Sequence, residues 1–68
     1  MPQAMKSYAE VQRDAKLLGH TQRVSRHLEE AIFYAGLGEP EAAMLAFEQA
    51  QTALDRGRAF LEASLEED

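Results

Sequence analysis

His27 and Glu30 stand three residues apart, a spacing that puts both side chains on one helix face within reach of one ion. Carboxylate-bridged di-iron bundles use such pairs in the order Glu-x-x-His, from two helices and with further Glu residues beside them. Here the order is reversed and occurs once. His20 has no carboxylate at a telling spacing. A phosphorelay His would need a four-helix bundle, of which this chain could supply only part. There is no Cys, so thiolate ligands, thiol nucleophiles and disulfides are all absent. The hydroxyls of Ser7, Thr21, Ser25, Thr52 and Ser64 lack a His and an acid in any catalytic motif. Gly36-x-Gly38 reads as a helix stop rather than a phosphate loop. A chain of 68 residues has little room for an enclosed substrate pocket. The expectation is a protein that is not an enzyme, with no metal and no cofactor.

Charge narrows the partners. Acidic residues outnumber basic ones 12 to 7, for a net charge of −5. A nucleic-acid binder needs a basic face to displace counterions. Arg23, Arg26 and His27 cluster, but Glu29 and Glu30 follow at once. Membrane-surface binding needs a basic polar face on an amphipathic helix; Lys6, Arg13 and Lys16 are offset by Glu10 and Asp14. No apolar run approaches the roughly 18 residues that span a bilayer. The first residues lack the apolar block of a signal peptide. These features predict a cytoplasmic protein with no nucleic-acid and no membrane partner.

The elements follow from periodicity. Ala, Leu, Glu, Gln and Arg dominate, all good helix formers, and no strand-length alternation occurs. The pattern predicts an all-α, three-helix antiparallel bundle in a single domain. Helix 1 is expected over about 3–18, with a stripe of Met5, Tyr8, Val11, Ala15 and Leu18 and a stop at Gly19. Helix 2 is expected over about 21–36, capped by Thr21, with a stripe of Val24, Leu28, Ala31, Ile32 and Ala35. Helix 3 is expected over about 39–64, starting at Glu39 or Pro40, followed by an acidic tail over 65–68. Its stripe is Ala43, Phe47, Ala50, Leu54, Gly57 and Leu61, a coiled-coil-like period. Gly57 marks a close helix crossing, a bend, or a position where drift is simply tolerated. A third helix longer than its partners would overhang them, leaving Phe60, Leu61 and Leu65 partly wet.

One segment carries a family resemblance. His27, Ala31, Tyr34, Gly38, Ala43, Phe47 and Ala50 stand where a tetratricopeptide helix hairpin has its aromatic, Gly, Tyr, turn, Ala, Phe and Ala. The stretch from about residue 27 to 55 therefore resembles a single tetratricopeptide-like repeat. Glu30 and Asp55 depart from the pattern, which has Leu and Pro there. The resemblance implies that Tyr34 and Phe47 fill the space between two helices, and that the chain binds protein. A lone repeat forms no peptide groove, so it would dimerise or dock on a larger partner.

The function expected is a non-enzymatic protein–protein interaction module, an adaptor or small chaperone-like protein that presents an apolar helical surface. The alternative is a homo-oligomeric bundle in which helix 3 self-associates. Tyr8, Tyr34, Met44, Phe60 and Leu61 are the expected protein-binding residues, because aromatic residues and Met are enriched in interface cores.

Overall fold

The computed structural model describes residues 6–66. Two helices form an antiparallel hairpin: α1, Tyr8–Gly36, and α2, Pro40–Glu66. The expected three-helix count is corrected to two. Gly19 and His20 do not end a helix, because Gly38 is the only described residue that adopts positive φ. The Thr21 hydroxyl does not cap a new helix. It donates to the Leu18 carbonyl at 2.8 Å, the back-bond of a residue inside a helix. Gly19 costs roughly 1 kcal/mol against Ala, a cost that packing along the whole of α2 overrides.

Both helix ends have local causes. Ser7 caps α1, its side chain accepting from the Glu10 amide at 3.2 Å. Ser7-x-x-Glu10 is the sequence pattern of a capping box, and it replaces the expected start near Gln3. The expected helical positions Gln3–Met5 lie outside the described residues, as do Glu67 and Asp68 of the expected tail. At the far end, the Gly38 amide donates to Ala35 O and the Glu39 amide to Tyr34 O, at 3.1 and 3.0 Å. That pair of bonds is a Schellman stop, and it needs the left-handed φ of 75° at Gly38. Pro40 then opens α2, where its missing amide hydrogen costs nothing.

The seam between the helices is built from the smallest side chains. Ala43, Ala46, Ala50, Ala53 and Gly57 of α2 are buried, and Ala31 of α1 is 1% exposed. They recur in alternating steps of three and four, the antiparallel coiled-coil period. Across from them α1 sets the half-buried Leu17, His20, Val24, His27 and Tyr34. A three-residue turn holds the two axes close, and only alanine and glycine admit that approach. A Cβ on Gly57 would stand 3.2 Å from His20 Cβ. Gly57 therefore marks a close crossing.

Phe47, Leu54 and Leu61, expected on the inner stripe with Ala43, Ala50 and Gly57, lie outside the seam. Phe47 is 51% exposed, so it does not fill the space between the helices. Leu28 and Ile32 of the expected helix 2 stripe are also exposed, as are Tyr8, Val11 and Leu18 of helix 1. The expected overhang is gone too. Because α1 is continuous, it runs beside α2 as far as Phe60, whose ring lies 5.4 Å from that of His20.

Candidate interaction surface

The hairpin is a single layer of two helices, so it has two broad faces, and their chemistry differs. On one face, Leu17, His20, Thr21 and Val24 of α1 meet Ala53, Leu54, Gly57, Arg58 and Leu61 of α2 around a hollow of about 140 Å³. Helical periodicity extends this surface in both directions. Phe47 stands one heptad before Leu54, and Leu61 one heptad after it. Leu28 lies one turn beyond Val24, and Ile32 one turn beyond Leu28. The strip runs along most of the hairpin. Arg58 is the one charged side chain lining its hollow.

The opposite face is polar. His20, Arg23, His27, Glu48, Gln49, Thr52 and Arg56 line it, with Leu45 among them. Arg23 Nη1 is 3.4 Å from His20 Nδ1. Glu30 Oε1 lies 3.1 Å from His27 Nδ1. That nitrogen is buried and has no hydrogen-bond partner, so the two atoms are close without hydrogen-bond alignment. No third ligand joins the pair: among the described residues no three His, Cys, Asp or Glu side chains converge. No charged or polar residue among them is buried. Among the described residues the one displaced titration is at an exposed surface pair. The Lys6 ammonium, hydrogen-bonded to Asp14, holds that carboxyl below its ordinary range. Among the described residues no helix is long and apolar enough to cross a membrane.

The five expected contact residues do not form one surface. Tyr8 lies at the start of α1 and is 79% exposed. Tyr34 is at the other end of α1, about 39 Å away at 1.5 Å per residue. Tyr34 is half-buried and meets Phe33 edge-on at 5.4 Å. Met44 is exposed near the turn. Phe60 belongs to the seam, against His20. Leu61 alone lies on the apolar face, beside the hollow. The residues that make that face, Leu17, Val24, Leu28, Ile32, Phe47 and Leu54, were not among the five. Their signal was the heptad Phe47, Leu54 and Leu61, visible in the sequence and assigned to the inside.

Comparison with known protein families, with curated proteins and with solved structures finds no match for this chain. The tetratricopeptide-like spacing thus stands as a resemblance of residues alone.

Proposed function

We propose that this hairpin is a non-enzymatic protein–protein interaction module that presents its apolar face to another helical surface. One observation carries the reading: the helices bury alanine and glycine between them and turn Leu and Phe outward along one side. An alanine methyl removes little apolar area from water, while each Leu or Phe left outside forgoes roughly 1.5–3 kcal/mol of burial. Contiguous apolar strips of this kind mark contact surfaces. The expectations of a cytoplasmic setting and no nucleic-acid partner belong to the same reading. They rest on the absence of Cys and the net charge of −5.

The test is site-specific photo-cross-linking in cells, with a benzophenone amino acid placed at Phe47 and, separately, at Lys16 on the other side of the hairpin. The reading expects a discrete protein adduct from position 47 and none from position 16. Equal labelling from both positions, or no adduct from either, would remove the apolar face as a contact surface.

A further inference from the structure

We infer that the occupant of the apolar face is a second copy of this chain, forming a two-fold, four-helix bundle in which Phe47 of each copy enters the hollow of the other. This inference rests on the interaction-module reading and names its partner.

Shape comes first. The hairpin measures 53 × 27 × 15 Å, one helix layer thick. Domains enclose a core between two packed layers, and here the second layer is missing. The chain exposes 5670 Å². A compact protein of 7.6 kDa exposes about 4,300 Å². Chain ends and elongation take part of that excess of about 1,400 Å². The whole excess is larger than the roughly 800 Å² that each partner buries in a stable interface. A second hairpin supplies a layer of the same length and width.

Self-complementarity comes next. A two-fold interface uses one patch on both subunits, so it must hold a knob and a matching hole. The hollow beside Gly57 is an open groove of about 140 Å³, of the same order as the roughly 150 Å³ of an enclosed cavity that holds benzene. Phe47 is the phenyl group on the same face. It lies ten residues before Gly57, about 15 Å along the axis. A two-fold axis across the hairpin midway between them, level with Thr52, exchanges knob and hole. His20 lies against Gly57, so the same axis passes level with Ser25 on α1. That operation sets α1 antiparallel to its counterpart and brings Ile32 level with Leu18 of the second copy. Both are more than half exposed in the single hairpin.

The experiment exploits the absence of Cys. Ser25→Cys and Lys16→Cys are made separately in the 68-residue chain and treated with a short bis-maleimide. Each is weighed by light scattering before and after. The inference expects a mass of two chains throughout, with covalent dimer from Ser25→Cys and none from Lys16→Cys. Phe47→Ala should raise the dissociation constant at least 100-fold. Should that variant unfold, the two cysteine variants still decide the matter. A helical monomer at high concentration would overturn the second copy and leave the face free for another protein. A photo-adduct from position 47 to a different protein would then uphold the wider reading. A dimer cross-linked through position 16 and not 25 would overturn the face itself.

Discussion

Two glycines inside helices make opposite predictions from the same chemistry. A Cβ at Gly19 would meet nothing within 4 Å. Gly19→Ala should therefore stabilise the protein by about 1 kcal/mol, the helix propensity difference, read as a higher unfolding midpoint. At Gly57 the same gain is opposed by His20 Cβ at 3.2 Å. That atom is fixed to the α1 backbone and yields only if the helices part. Overpacking of this kind costs about 1–3 kcal/mol, so Gly57→Ala should destabilise by about 1 kcal/mol net. Equal stabilisation by both substitutions would show that the helices do not touch at Gly57. A third residue-scale prediction concerns Asp14. Its carboxyl is depressed chiefly by the hydrogen bond from Lys6, with lesser help from the Lys6 and Arg13 charges and against some desolvation. A depressed carboxylate adds stability above its unfolded pKa and loses it as pH falls through the lower folded value. Lys6→Gln should move the Asp14 titration upward in an NMR pH series. An unchanged titration would mean the pair does not form in solution.

At the scale of the elements, the turn is the most constrained feature. Gly38 sits at φ 75°, where a Cβ costs roughly 1–2 kcal/mol. Gly38→Ala should lower stability by that amount, measured by chemical denaturation, and a neutral result would mean the turn is not the Schellman stop described. The turn was legible in the sequence, because Gly36 to Pro40 combine a left-handed glycine with a first-turn proline. The all-helical class was legible for similar reasons; the crowding at Gly57 was not, because a glycine there reads equally as a bend or a tolerated position. The continuity of α1 was not. Gly19 followed by Thr21 is both a stop-and-cap signal and a tolerable helix interior, and only α2 packed alongside decides between them. Nor was the choice of seam. α2 carries two heptad stripes, Ala43, Ala50 and Gly57 with Ala46 and Ala53 on one side, or with Phe47 and Leu54 on the other. Hydrophobicity ranks the second as core. A three-residue turn requires close axes, and that selects the first. The Ser7-x-x-Glu10 capping box is legible in the sequence, where the stripe from Met5 points to an earlier start.

At the scale of the whole molecule, one choice ties these features together. By packing α1 and α2 through alanines, the hairpin leaves its larger apolar side chains to a second layer. Stability should then depend on whatever completes that layer, since anything that binds only the folded form raises its apparent stability by mass action. The most direct measurement is the solution mass of the 68-residue chain across a dilution series, with helicity followed at each concentration. We predict a helical species of two chains whose unfolding midpoint rises with concentration and whose helicity falls once dilution separates the copies. A helical species of one chain, 7.6 kDa, with a midpoint independent of concentration, would contradict the account. It would mean that the alanine seam suffices and that the apolar face needs no second layer.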